Sequence, residues 1–347
     1  MESLLIVKLS ALGDVIHSLA FLYAVKRRWP DLNVDWVVGD AQSSLLQGHP
    51  MIRRVMVYRR RELGRYARNP LEWGGVISEL SMLRSQVRQE WYDAAVDLQG
   101  LFKSGLIISM ARAERKIGFA GQRELSHLLL TERLPVYDPD RHAVDRYLDV
   151  ANYLGAETSR PEFPLGLRPE EILSARNKLS ELAGMAPGSY AVLVPGTVWD
   201  TKHWTVQGFA EIAKEIHGRY GLKSLVIGSS GQASMAAAIA KGSGGSAISI
   251  AGKTALRELA VIFQDCAVCV SVDTGPMHLA VAAGARVVAL FGPTAPWRTG
   301  PYGTGHKVIR RDLECSPCFS RRCADPVCMT SIGSSEVMQG IESVLGS

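Results

Sequence analysis

The chain has 347 residues, 47% of them hydrophobic, enough for two medium-sized cores. No window approaches the ~18 uninterrupted apolar residues of a membrane span. Even the apolar run 279–291 carries Arg286, and Lys8 and Asp14 interrupt the first apolar stretch where a signal peptide would stand. A soluble, cytoplasmic protein is expected. The net charge of +5 is uneven: residues 53–68, "RRVMVYRRRELGRYAR", hold seven arginines against the single acid Glu62. Such a cluster on a near-neutral body suits carboxylates or phosphates, which guanidinium forks match bidentately. A solvated loop or an anionic membrane-surface patch is the plainer alternative. Nucleic acid is disfavoured, because no aromatic-interleaved basic face or recognition motif accompanies the arginines.

In chain order, 3–8 is predicted as a strand buried on both faces. Apolar residues then recur at helical spacing from Val15 (Ile16, Leu19, Leu22, Tyr23) until Trp29-Pro30 closes the run. Asp14 falls in the turn between them, at the carboxyl end of a strand, where open α/β sheets bind ligands. It is either a residue in or near the N-cap holding helical amides, or a general base. Further strands are expected at 33–38, 54–58, 93–98 and 115–119, with helices at 71–89, 101–111 and 142–155. The stretch "AETSRPEFPLGLRPEE" has three prolines and no periodicity, so a domain boundary is placed near 165.

The second half repeats the plan. Short apolar runs at 190–196, 222–228, 246–252, 267–273 and 286–292 nearly all end in glycine or aspartate. Such units build a parallel, doubly wound sheet. The expected organisation is α/β, with two Rossmann-like domains facing a cleft: residues 1–165, residues 166–330, and a terminal helix within 331–347.

No G-x-G-x-x-G follows any of these strands, which argues against a nicotinamide oxidoreductase. The "DPD" at 138–140 is read as turn chemistry rather than a metal-binding D-x-D. In "SVDTGPMHLAVAAGARVVALFGPT", a buried strand ends at Asp273, Thr274 and Gly275 make the turn, and Pro276 is expected at the first helical position. The free amides of that helix start form an anion site suited to a diphosphate, with His278 in the first turn. The alternative makes Asp273 or Thr274 a cap and His278 a helix histidine. Thr197 and Lys202 in "VPGTVWDTKHW" and Thr254 in "AGKTALREL" occupy two further strand-end loops. Cys266 and Cys269 are expected as core thiols of an apolar strand. Cys315, Cys318, Cys323 and Cys328 form a tail loop whose spacing fits no standard metal-ligand pattern, and a reduced structural loop is preferred over a metal site.

The stretches "KLSALGDVIHSLA", "PGTVWDTKHW", "GKTALREL" and above all 271–294 resemble the bacterial lipopolysaccharide heptosyltransferases. The resemblance implies the two-Rossmann (GT-B) architecture and an inverting transferase that requires no metal or other cofactor. It implies ADP-heptose as donor on the second domain and the acceptor on the first. By resemblance, Asp14 is the general base and Lys202 the catalytic cation on the leaving diphosphate. Thr197, Thr254, Asp273, Thr274, Gly275 and His278 fall on the donor side.

"YDAAVDLQGLFKSGLI" and "GQRELSHLL" resemble the first heptosyltransferase, which acts on Kdo2-lipid A. Arg59, Arg60, Arg61, Lys103 and Arg123 then fall where that acceptor is contacted, implying a peripheral enzyme on the inner face of the cytoplasmic membrane. The "CSPCFSRRC" tail is more typical of the second heptosyltransferase. A different class, a non-catalytic binder of lipid A or anionic lipid, would leave Asp14 and Lys202 without a role.

Overall fold

The computed structural model describes residues 1–67 and 73–346. Arg68 falls outside the described residues, as do the side chains of Arg61, Tyr66 and Ala67. The chain divides into two compact units, Met1–Gly166 and Leu167–Ser347. The first holds strands β1 (Ser3–Val7), β2 (Asn33–Gly39), β3 (Arg54–Tyr58), β4 (Trp91–Asp97), β5 (Arg112–Phe119) and β6 (Glu132–Leu134). The second holds β7 (Tyr190–Val194), β8 (Lys223–Val226), β9 (Ala247–Ser249), β10 (Val268–Val272), β11 (Val287–Phe291) and β12 (Lys307–Arg310).

The first sheet runs β3-β2-β1-β4-β5-β6 and the second β12-β11-β10-β7-β8-β9, with every pairing parallel. Counted within its own unit, each sheet has the same doubly wound order. The winding reverses between β1 and β4 in the first and between β7 and β10 in the second. These two reversals are the switch points where such sheets bind ligands. Helices cover both faces, so the inner strands are continuous apolar runs rather than alternating ones. β7, β10 and β11 are buried at every position.

Local chemistry sets the helix ends. The helix Leu12–Arg28 carries Asp14 in its first turn and Lys26, Arg27 and Arg28 in its last, the signs its dipole favours. The helix Val206–Tyr220 starts where the Thr205 hydroxyl accepts the Gly208 amide at 3.0 Å, and it ends at Gly221, whose φ of 70° suits glycine.

The observed strands β6 and β12 were not anticipated, because both are short, charged edge strands without a period-2 apolar pattern. The arginine-rich stretch is not a loop: β3 is followed by the helix Arg60–Ala67. Residues 156–168 have neither helix nor strand. They are tied to the first unit by Tyr23 Oη donating to Glu162 (2.7 Å) and by His49 Nε2 against the Pro164 carbonyl (2.9 Å). The terminal helix Ser334–Leu345 is not a separate segment. Its Val337, Met338, Ile341 and Val344 join the core formed by Val270 and Leu290 of the second sheet. Among the described residues, no helix is long and apolar enough to cross a membrane.

Candidate active site

β1 delivers the chain to the first switch point. Asp14 is the third residue of the helix that follows, and its Oδ2 accepts the Ala11 amide at 3.0 Å. The capping role is therefore real, and it uses one carboxylate oxygen. The other, Oδ1, accepts the Tyr147 hydroxyl at 3.1 Å, while the side chain stays 38% exposed. An exposed carboxylate with both oxygens oriented thus stands at a switch point, where such sheets bind ligands. Lys8, only 3% exposed, lies 3.9 Å from Asp14 Oδ1 and donates to the Leu98 carbonyl (2.9 Å) and to Tyr147 Oη (2.7 Å). Burial lowers the Lys8 pKa, opposed by the neighbouring carboxylates Asp14 and Asp97. Sequence reasoning assigned no role to Lys8 or Tyr147. A lone lysine closing a buried strand was a visible signal, but nothing local tied Tyr147 to Asp14.

The arginine cluster separates by partner. Asp35 on β2 is fully buried, and Arg53 donates to both its oxygens (2.9 and 2.8 Å). Arg54 and the Tyr92 hydroxyl also donate to it, at 3.0 and 2.7 Å. Although burial opposes it, these donors hold the Asp35 carboxyl below its ordinary pKa, and burial pushes the Tyr92 phenol far up. Two of the seven arginines are thus tied to a buried carboxylate, although their side chains stay 32% and 28% exposed. Arg59 pairs with Glu79 at 3.4 Å. Arg60 is exposed and lies close enough to Lys103 to join burial in lowering the Lys103 pKa, while Glu124 opposes them. Glu124 also accepts the Phe102 amide at 2.9 Å, at the start of the helix Phe102–Met110 that carries Lys103. Arg123, exposed, directly precedes Glu124. The structure so brings Arg60, Lys103 and the Arg123–Glu124 segment together and engages Arg59 elsewhere. The Arg61 side chain lies outside the described residues.

In the second unit, the loops after β7 and β10 meet. Lys202 Nζ donates to Asp273 Oδ2 at 2.6 Å, and Thr294 Oγ1 donates to the same oxygen at 2.6 Å. Thr197 Oγ1 reaches the Asp273 carbonyl at 3.4 Å. The Lys202 ammonium also lies 4.4 Å from the Trp199 ring centre, against which Arg321 stacks at 4.8 Å. Thr274 is the N-cap of the helix Gly275–Ala282, but its side chain makes no capping bond. Gly275, not Pro276, is the first helical residue; Pro276 is second, where its missing N–H is equally harmless. His278 is buried in the fourth position. Thr254 follows the edge strand β9, two strands from the switch point. Its loop connects inward through the Gly252 amide on the Gly228 carbonyl (2.8 Å). The Gln232 amide stands where a Cβ on Gly196 would fall, 2.3 Å away, so Gly196 lets the two loops close. Thr294, Trp199 and Gln232 were missed, although "FGPT" and "SSGQ" marked two of the loops.

Cys269 is buried in β10, but Cys266 precedes that strand and is half-buried, its thiol pushed up to about 12 by burial. Cys315, Cys318 and Cys323 are exposed, and all six thiols are unpaired. The loop that carries Cys315, Cys318 and Cys323 is tied to the strand-end loops by three hydrogen bonds. Ser316 Oγ donates to the Gly292 carbonyl (2.7 Å), the Phe319 amide to the Pro293 carbonyl (2.8 Å) and Thr201 Oγ1 to the Ser320 carbonyl (2.8 Å). Thr294 and Lys202 are the next residues along. Among the described residues, no group of three or more His, Cys, Asp or Glu is placed to hold a metal ion. "DPD" is a turn: the Asp140 amide donates to Asp138 Oδ1 at 2.8 Å.

Two doubly wound sheets, each with polar groups gathered at its switch point, are the architecture of a two-Rossmann, GT-B glycosyltransferase. A model of glycosyltransferase family 9 (heptosyltransferase) matches residues 80–328, and the chain belongs to this family. It is 29% identical to lipopolysaccharide heptosyltransferase 1 of Pseudomonas aeruginosa, over 98% of this chain and 97% of that one. Against lipopolysaccharide heptosyltransferase 2 of Salmonella typhimurium the identity is 26%, over 88% and 87%. Among solved structures, E. coli heptosyltransferase WaaC with ADP superposes with a TM-score of 0.81, at 25% identity and 99% coverage of both chains.

Proposed function

We propose that this enzyme moves heptose from ADP-heptose to the Kdo region of the lipopolysaccharide inner core, with Kdo2-lipid A as acceptor, inverting the anomeric centre without a divalent metal. The observation that carries the reading is the Lys202–Asp273 pair at the second switch point, beside the amino end of the helix Gly275–Ala282. A fixed ammonium next to a positive helix end is a diphosphate site. The relatives named above support heptose chemistry, and ADP in the WaaC structure supports an adenine nucleotide donor.

In this reading Asp14 takes the proton of the acceptor hydroxyl as that oxygen bonds to the anomeric carbon. The anomeric carbon–oxygen bond to the diphosphate breaks, and its electron pair leaves with ADP. Lys202, Thr197 and the amides of Thr274 and Gly275 stabilise the growing charge, the work a metal would otherwise do. Asp273 and Thr294 hold Lys202 in place, while His278 contacts phosphate or sugar and Thr254 serves the nucleoside. Arg60, Lys103 and Arg123 face the Kdo carboxylates and lipid A phosphates, and the same charge holds the enzyme at the inner membrane surface. Arg59 belongs to the same acceptor-facing set; its pairing with Glu79 at 3.4 Å leaves its side chain 47% exposed.

The cysteine tail favours one second reading, a heptosyltransferase that acts after the first heptose is in place. Release of ADP from ADP-heptose, measured in EDTA with Kdo2-lipid A and with its mono-heptosylated form, separates the two. Turnover with Kdo2-lipid A alone is expected. Turnover only with the heptosylated acceptor assigns the later step, and loss of activity in EDTA refutes the metal-free mechanism.

A further inference from the structure

We propose that Tyr147 and Lys8 are positioning residues for Asp14, forming a one-way hydrogen-bond chain that fixes and stabilises the charged carboxylate; this rests on the general-base reading above. The direction of the chain follows from the chemistry of its members. An ammonium has donors only, so the 2.7 Å contact from Lys8 Nζ makes Tyr147 Oη an acceptor. The single phenolic proton is then directed to Asp14 Oδ1, 3.1 Å away. Lys8 is itself fixed by the Leu98 carbonyl at 2.9 Å. On the other side, the Ala11 amide holds Oδ2 at 3.0 Å. Both oxygens are oriented, and the carboxylate cannot rotate without losing a bond.

The two residues come from elements that meet only in the fold: Lys8 follows β1, and Tyr147 lies on the helix Ala143–Tyr153, which packs on the helix carrying Asp14. Both side chains are buried. Burial, then the Asp14 charge, keep the phenol well above its usual pKa, so it remains a donor.

Other charged and titratable groups lie around the chain. Asp97, at the end of β4, is bonded by the amides of Gln99 and Gly100 and by Ser104 Oγ. Arg146 stands over the Tyr137 ring, and His17 and His142 meet edge to face with ring centres 5.3 Å apart. Lys8 Nζ lies 3.9 Å from Asp14 Oδ1.

The deciding variant is Tyr147→Phe, which removes one hydroxyl and keeps the ring. The pH profile of kcat/KM with saturating donor is measured for wild type, Tyr147→Phe, Lys8→Gln and Asp14→Asn. In Tyr147→Phe, kcat is expected to fall about tenfold with donor KM unchanged. The acidic limb of the profile should move to higher pH by about half a unit to one unit, because the carboxylate has lost a donor. Lys8→Gln should move the limb the same way. A merely structural role would lower Tm and leave the limb in place. An unaltered profile in Tyr147→Phe beside an inactive Asp14→Asn overturns this proposal alone; an active Asp14→Asn overturns the base assignment and this proposal with it.

Discussion

Lys202 Nζ and Asp273 Oδ2 lie 2.6 Å apart, joining the loops that follow neighbouring strands β7 and β10. Thr294, from the loop after β11, donates to the same oxygen, so three strand-end loops converge on one carboxylate. Under the proposed function, Asp273 serves the donor side by holding the Lys202 ammonium, since a carboxylate is a poor direct ligand for phosphate. Asp273→Asn should therefore lower kcat by about 10²-fold, through a misplaced Lys202 rather than a lost donor contact. Thr294→Val should cost about tenfold. Steady-state rates of ADP release check both, and a Thr294→Val enzyme weaker than Asp273→Asn would reverse the hierarchy.

The arginine run supplies a contrast. Asp35→Ala leaves the buried Tyr92 hydroxyl without its acceptor and releases Arg53 and Arg54, whose side chains are 32% and 28% exposed, and should destabilise the protein by about 1–3 kcal/mol. Arg60→Ala should change stability by less than about 0.5 kcal/mol. It should instead raise the acceptor KM, an effect that shrinks as salt increases. Thermal melts beside acceptor titrations at two ionic strengths distinguish the two kinds of arginine.

Acid stability has an identifiable contributor. Arg257, then Arg168, hold Glu171 below its usual 4.5, at about 2. Because the folded carboxyl titrates below the unfolded one, the contribution is complete above about pH 4.5 and is lost as the pH falls toward 2. Glu171→Gln should be about 2 kcal/mol less stable at pH 7, allowing for partial exposure. Denaturant melts of both proteins should converge at low pH; a constant gap would deny the linkage.

Gly292 directly follows β11, and its carbonyl accepts Ser316 Oγ of the cysteine loop. A Cβ there would sit 2.7 Å from Met329 Sδ and 2.9 Å from Cys328 Sγ, and Met329 is fully buried. Gly292→Ala should destabilise by about 1–3 kcal/mol through overpacking. A shift in Tm of several degrees is expected, and an unchanged Tm would mean the cysteine loop packs loosely.

The doubly wound sheets were legible because both-face burial writes each inner strand as an apolar run ending in glycine or aspartate, as in "YAVLVPG" and "AVCVSVD". Edge strands β6 and β12 were not, since Arg133 and Lys307 break that pattern. Asp14, Lys202 and Asp273 stood out because each follows a buried strand. Their partners did not: Tyr147 and Thr294 reach them only through helix packing and strand adjacency. Composition alone does not tell Arg53, which donates to the buried Asp35, from Arg60, which stands in solvent without that partner's pull.

The division of labour between the two units is tested most directly by comparing Asp14→Asn with Lys202→Ala, measuring ADP binding by calorimetry and ADP release from ADP-heptose with Kdo2-lipid A. Asp14→Asn should bind ADP as wild type does and release none from ADP-heptose, while Lys202→Ala should lose both. An Asp14→Asn enzyme that turns over near the wild-type rate would contradict the account.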